Sequence, residues 1–220
     1  ARDRHVFASL MRAHGHADGM VTGATRKSAH ILELINHVFD AGPHDGAVGV
    51  SVVMHKGKIV LIADTLVHEW PDEEDLADIA ERGAGVARHL GLTPRVAFLS
   101  FSTFGYPVSE RAAKMQAAAT VLDKRGVDFE YEGEMTVDVA LNPAVMANYP
   151  FSRLTGPANV LVVPARHSAS ISTKLMQEMA GATVIGPILT GLDRPIQICS
   201  SVSTANDIMN MAVMAACNLG

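Results

Sequence analysis

Cysteine is scarce in this chain, with two residues, Cys199 and Cys217, among 220. Two thiols cannot supply a disulfide framework. Beside eleven methionines they read as small apolar residues in a reducing compartment, which places the protein in the cytoplasm. No apolar run approaches the roughly 20 residues that cross a bilayer, and the opening ARDRHVFASLMRAHGH has the pattern of neither a signal nor a transit peptide. No membrane partner is expected. Lysine and arginine form no block and the formal charge is −5, so the electrostatic footprint of a nucleic-acid binder is missing. The GxGxxG fingerprint, the P-loop and the GxSxG nucleophile elbow are absent too. His14 and His16 flank a glycine without a third ligand at recognisable spacing, so no metal site is expected.

What is present is an ordinary globular composition, 48% hydrophobic and 19% charged, sufficient for a sizeable core. Strand-like and helix-like segments alternate, which points to an α/β fold with a mostly parallel sheet and helices on both faces. DGMVTG at 18–23 reads as a short strand and SAHILELINHVF at 28–39 as a helix. Apolar runs at 47–54 and 59–63 are joined by HKGK, the signature of an antiparallel hairpin. Pro71 and four acids from Asp72 to Asp75 open a helix over 72–90 that Gly91 ends. Strands follow at 95–101, 160–164 and 183–189, with helices at 108–125, 169–180 and 207–219. The chain opens on a helix with no strand before it, as a piece cut from something longer would.

Ligands of open α/β sheets sit beyond the carboxyl ends of the strands, which directs attention to the loops at 102–106, 165–170 and 199–204. These loops and their helices carry Ser102, Thr103, Ser168, Ser170, Ser172, Thr173, Ser200, Ser201, Ser203 and Thr204. Their hydroxyls fit phosphate at a helix N-terminus, and they fit ordinary helix capping equally well. Lys174, Arg166 and Arg194 could supply positive charge to a phosphorylated ligand, or simply face water.

Five segments in order resemble the phosphate acetyltransferase and butyryltransferase family: ADGMVTG (17–23), PRVAFLSFST (94–103), YEGEMTVDVA (131–140), ANVLVVP (158–164) and IGPILTGLDRP (185–195). TANDIMN at 204–210 closes the series. The resemblance implies a three-layer α/β/α fold of the isocitrate and isopropylmalate dehydrogenase type, with residues 1–190 forming the main lobe. Residues 191–220 would return to pack on a truncated second lobe. In active members a serine, the arginine after it and a later aspartate surround the thiol of CoA and the acetyl carbonyl. The serine matches Ser200 and the aspartate Asp207, while the arginine position holds Ser201. Losing one pre-placed donor of this kind costs ~10²–10³ in rate. The family's Ser-Thr-Lys-Gly-Ser is STFGY at 102–106, and its Asp-Leu-x-Ala-Gly-Asn-Ile-Gly-Tyr-Lys is ARHSASISTK at 165–174.

Together these departures resemble the phosphotransacetylase-like C-terminal domains of large bacterial NADP-dependent malic enzymes, whose phrases SFSTFGYP, YEGEM, RLTGPANVL and PARHSASIS recur here. That branch implies a non-catalytic module binding acetyl-CoA or a related acyl-CoA as effector, and a homo-oligomer formed through this domain. It also implies an N-terminal malic enzyme domain, outside these residues, that uses NADP and a divalent metal. The expected pocket residues are Ser102, Thr103, Lys174, Arg194, Ser200 and Ser201, with Ser200 and Asp207 as remnants of catalysis. A working acetyltransferase and a purely structural dimerisation module are the alternatives.

Overall fold

The computed structural model describes residues 3–39, 47–192 and 195–217. In chain order the elements are α1 (Arg4–Ala13), β1 (Met20–Gly23), α2 (Ser28–Phe39), β2 (Val48–His55), β3 (Lys58–Ala63), α3 (Glu73–His89), β4 (Arg95–Leu99), α4 (Glu110–Arg125), β5 (Glu130–Met135), α5 (Val137–Leu141), α6 (Pro143–Met146), β6 (Val160–Val162), α7 (Arg166–Ala180), β7 (Thr183–Thr190), β8 (Ile196–Cys199) and α8 (Ala205–Ala216). Two compact units emerge, Ala1–Gly49 with Ile185–Gly220, and Val50–Val184. The sequence reading assigns 1–190 to one lobe. The structure instead groups the first 49 residues with the C-terminal segment, because β1 pairs in parallel with β8 from Met20↔Ile196 to Gly23↔Cys199, and α1, α2 and α8 pack around that pair.

The larger unit is built on strands in the order β5-β4-β6-β3-β2. β5, β4, β6 and β3 run parallel, and β2 is antiparallel to β3. The hairpin is the one expected. Lys56 (φ 48°) and Gly57 (φ 76°) form its two-residue turn, and His55 faces Lys58. Strands buried on both faces read as continuous apolar runs, which is why VAFL and VLV were legible as strands.

Each face of the sheet carries helices. On one side α3 lays down Leu76, Ile79, Ala80, Ala84 and Val86, and α4 adds Met115, Ala118 and Leu122, all buried. On the other, Val53, Ile62, Leu99, Leu161 and Val163 pack with Met135, Val139, Ala140 and Ala169 from β5, α5 and α7. Burying one such Leu, Val or Ile side chain contributes about 1.5–3 kcal/mol, so these two layers dominate the stability of the unit. Asp72 caps α3 through a reciprocal box with Asp75, which accounts for two of the acids at 72–75. Arg125 binds Glu74, Asp78 and Glu81 at 2.7, 2.5 and 2.7 Å and fastens α4 along α3. Among the described residues no helix is long and apolar enough to cross a membrane.

In the smaller unit, Gln197 is fully buried on β8 and uses both ends of its amide. Its Oε1 accepts from the Leu189 amide at 2.8 Å and its Nε2 donates to the Leu189 carbonyl at 2.9 Å, satisfying the β7 backbone as a neighbouring strand would.

Candidate functional site

The carboxyl ends of β3, β4, β5 and β6 present the loops where a ligand would sit in this class of sheet. After β4 the chain makes a two-residue turn. The Thr103 amide donates to the Tyr106 carbonyl at 2.9 Å, the Tyr106 amide returns to Thr103 at 3.2 Å, and Phe104 and Gly105 between them have φ of 48° and 88°. A bulky residue at positive φ costs about 1–2 kcal/mol and persists only where its surroundings hold it there. Two anchors do so. The Phe104 amide donates to the Glu134 carbonyl at 2.9 Å and the Gly105 amide to Glu134 Oε1 at 2.7 Å. The Phe104 ring packs on Tyr149 and Phe151 with centroids 5.3 and 4.8 Å away.

Ser102 does not present its hydroxyl to a pocket. It is 1% exposed, and its Oγ donates to Glu134 Oε1 at 3.1 Å with Ser100 Oγ also at 3.1 Å. Thr103 ties the turn to the end of β5, its Oγ1 accepting the Thr136 amide at 3.1 Å. Glu134 therefore anchors this loop, and sequence reasoning missed it. It is 1% exposed, and its second oxygen, Oε2, has no hydrogen-bond partner among the described residues. The only signal was its place in the YEGEM phrase. The preceding Gly133 is forced by close approach: with φ at 149°, a Cβ would lie 2.7 Å from the Phe98 carbonyl oxygen.

At the end of β6, Pro164 and Ala165 lead directly into α7, so the helix starts at Arg166 rather than at the expected 169. Lys174 consequently lies eight residues into the helix, roughly 12 Å from its first turn. It is exposed and stands apart from the N-terminus where a phosphate would bind. Arg166 is committed to the loop after β3: its amide donates to the His68 carbonyl, its guanidinium to the Leu66 carbonyl at 3.2 Å, and it pairs with Glu69 at 3.3 Å.

Beside this helix start opens a cavity of about 480 Å³ lined by Trp70, Pro71, Arg111, Lys114, Met115, Pro164, Ala165, His167 and Ser168. Ala165 gives the helix no side-chain cap. Trp70 is 71% exposed and its ring lies 6.1 Å from that of His167. An exposed tryptophan, two cations and an uncapped helix start suit an aromatic anion. Sequence reasoning missed this group because its members come from two separate loops and two helices.

Two residues before Trp70, His68 is buried with its Nδ1 2.8 Å from Asp64 Oδ2 and its Nε2 3.9 Å from Asp75 Oδ1. Burial opposes charge on the ring. The hydrogen bond to Asp64 and the charges of Asp64, Asp75 and Asp78 outweigh it, so the imidazole is held above the ordinary histidine value. Asp64 also accepts the amides of Leu66, Val67 and His68 at 2.8, 3.0 and 2.7 Å.

The smaller unit holds the other expected residues. Ser200 and Ser203 close a turn after β8, with the Ser203 amide donating to the Ser200 carbonyl at 3.2 Å and the Ser200 amide to Ser203 Oγ at 3.0 Å. Ser201 is exposed at its tip. Asp207 occupies the third position of α8 and closes a capping box: its Oδ2 accepts from the Thr204 amide at 2.7 Å and from Thr204 Oγ1 at 2.8 Å. The aspartate thus has a structural role as a helix cap. Burial, with the charge of Asp207 adding to it, pushes the neighbouring Cys199 thiol up. Arg194 lies outside the described residues. Among those described, no cluster of three or more His, Cys, Asp or Glu is placed to hold a metal ion.

Residues 1–216 match the family model described as phosphate acetyl/butaryl transferase. The chain belongs to that family. The phosphate acetyltransferase of Bacillus subtilis (strain 168) is 31% identical over 97% of this chain and 67% of its own length. A phosphotransacetylase structure from Streptococcus pyogenes superimposes with a TM-score of 0.92 at 30% identity, covering 99% of this chain and 68% of the other. Similarity is higher to the NADP-dependent malic enzyme of Rhizobium meliloti (strain 1021), 54% identical over 99% of this chain but only 29% of the malic enzyme. The chain therefore spans less than a third of that relative and about two thirds of the transferases.

Proposed function

We propose that this chain is the phosphotransacetylase-like part of an NADP-dependent malic enzyme and works there as a non-catalytic acetyl-CoA sensor and assembly module. The observation that carries the reading is the state of the transferase residues. The arginine position is Ser201, and Asp207, the family's base, is engaged in the Thr204 capping box. The 54% identity to a malic enzyme segment supports the parent. In that parent, NADP and a divalent metal would serve a separate domain that oxidises and decarboxylates malate. None of that chemistry is assigned to these 220 residues.

The effector's nucleotide portion fits the cavity at the start of α7. Trp70 offers a stacking face, Arg111 and Lys114 offer charge, and its volume of about 480 Å³ lies within the usual range of small-molecule sites. Transmission to the malate site requires acetyl-CoA to prefer one assembly state by a coupling free energy of ~1–3 kcal/mol. Trp70 is the only tryptophan in this chain.

The test is a titration of the full-length protein with acetyl-CoA by calorimetry, beside an assay of acetyl phosphate plus CoA. In the isolated chain, Trp70 fluorescence reports on the cavity directly. Saturable binding without turnover, weakened at least tenfold in Arg111→Ala/Lys114→Ala, is the expected result. Turnover would establish the acetyltransferase instead, and neither binding nor turnover would leave a structural dimerisation module.

A further inference from the structure

We propose that His68 is a positioning residue for the Trp70 wall of the cavity at the start of α7: its proton fastens the loop from Asp64 to Trp70 to α3, and loss of that proton releases the wall. The inference rests on the reading of that cavity as a ligand site and names its regulation. The clasp itself does not depend on acetyl-CoA.

The loop between β3 and α3 is anchored at both ends. At its start the buried Asp64 accepts the amides of Leu66, Val67 and His68, which winds the chain around one carboxylate. At its end Asp72 opens α3 through the capping box, and the Pro71 carbonyl accepts Lys114 Nζ at 3.3 Å. Between these anchors His68 reaches in three directions. Its Nδ1 lies 2.8 Å from Asp64 Oδ2, its Nε2 lies 3.9 Å from Asp75 Oδ1 in the first turn of α3, and its carbonyl accepts the Arg166 amide at 3.2 Å in the first turn of α7. Arg166 adds its guanidinium to the Leu66 carbonyl at 3.2 Å and to Glu69 at 3.3 Å, and His167 lies 4.0 Å from Glu69. Trp70 and Pro71 line the cavity from the loop, and His167 and Ser168 line it from α7. His68 therefore ties together the elements that supply both groups.

The charged ring closes this clasp and the neutral ring opens it. Protonated, it donates from Nδ1 to Asp64 and sets a positive charge against Asp75. Neutral, with its hydrogen kept on Nδ1 for Asp64, it turns a lone pair at Nε2 toward the Asp75 carboxylate. Attraction becomes repulsion, and the first turn of α3 lets go of the loop. The charged groups facing the ring are Asp64 at the end of β3 and Asp75 and Asp78 on α3, while α7 brings the Arg166 amide to its carbonyl. Burial opposes the charge, but the bond to Asp64 and the three carboxylates outweigh it, so the clasp is closed below the folded value and opens as pH rises through it. Trp70 is exposed, so its place is set through the backbone on either side of it. Releasing one side moves the indole and loosens the hold on an aromatic anion.

The experiment follows the Trp70 contribution to the fluorescence of the full-length protein, taken by difference from Trp70→Phe, between pH 5.5 and 9.0. Every fluorescence sample carries His167→Gln, because an imidazolium beside the indole would quench it. The expected result is a step in emission centred above pH 6.5 that is absent in His68→Asn, whose amide keeps a donor for Asp64 but takes up no proton. In Asp75→Asn the step should move to lower pH, since one of the carboxylates that hold the proton is neutral while its oxygen still accepts the Asp72 amide. That variant leaves His68 in place and remains informative if His68→Asn fails to fold. Acetyl-CoA, titrated by calorimetry at pH 6.0 and 8.5, should lose affinity several-fold more in the unaltered protein than in His68→Asn. A Trp70 signal without a step, a step that survives His68→Asn, or an equal loss of affinity in both proteins would overturn the clasp. The expected steps with no acetyl-CoA binding at either pH would establish the clasp and remove the sensor reading alone.

Discussion

At the scale of single residues, Asp207 shows how a carboxylate in the first turn of a helix is held for a structural reason. Its carboxylate receives two hydrogen bonds from Thr204, while the Thr204 hydroxyl accepts the Asp207 amide at 3.2 Å. Removing a cap of this kind costs about 1 kcal/mol. Thr204→Ala should therefore lower the unfolding free energy by about that amount in urea titrations, while leaving acetyl-CoA binding within twofold. A much larger loss of binding would return residue 204 to the ligand site. The two thiols offer a second residue-scale prediction. Cys199 is buried with its thiol pushed up, and Cys217 is exposed. Thiolate availability and access together govern alkylation. Iodoacetamide should label Cys217 in the native protein and reach Cys199 only after unfolding, as peptide mass mapping would record.

At the scale of elements, legibility followed the source of the stabilisation. The hairpin, the buried strands at 95–99 and 160–162 and the acid-started α3 were readable, because their signals are local: a Lys-Gly turn, unbroken apolar runs and a cap. β5 was not. Glu130, Glu132 and Glu134 break any apolar pattern, and two of them are buried only because distant groups satisfy them. Glu132 takes the Arg153 amide at 2.9 Å and Glu134 takes the 102–105 turn. The four residues of β8 likewise depend on pairing with β1, which lies some 175 positions earlier. The candidate site was legible to the same degree. Loops could be named from the topology, but whether Ser102 faced inward or outward depended on Glu134, which no local pattern signalled. Gly133 makes this testable. An added methyl would meet the Phe98 backbone, and overpacking of this sort costs typically 1–3 kcal/mol, with the positive φ adding to it. Gly133→Ala should lower stability by at least 2 kcal/mol and expose the 102–106 turn to hydrogen exchange. A neutral result would mean that β5 can shift without cost.

At the scale of the whole molecule, the charge balance joins folding to pH through one buried group. The chain carries ten histidines. His68 is the one placed deep between the end of β3 and the first turn of α3, against Asp64 and Asp75. Its proton is held more tightly when folded than at the ordinary value of 6.5, because the carboxylates around it outweigh the cost of burial. The native state therefore binds an extra proton in the window above 6.5, and linkage makes stability fall as pH rises through it. The contribution is fully present below about pH 6.5 and is lost as pH climbs past the folded value. Unfolding free energies at pH 5.5, 6.5, 7.5 and 8.5, compared with those of His68→Asn, isolate the effect, since asparagine does not titrate and the other nine histidines cancel. The advantage of the native protein over the variant should be greatest at pH 5.5 and shrink steadily to pH 8.5. If it grew with pH instead, the imidazole would be neutral in the folded state, and the loop from Asp64 to Trp70 that walls the candidate cavity would be held by its amide bonds to Asp64 rather than by an ion pair.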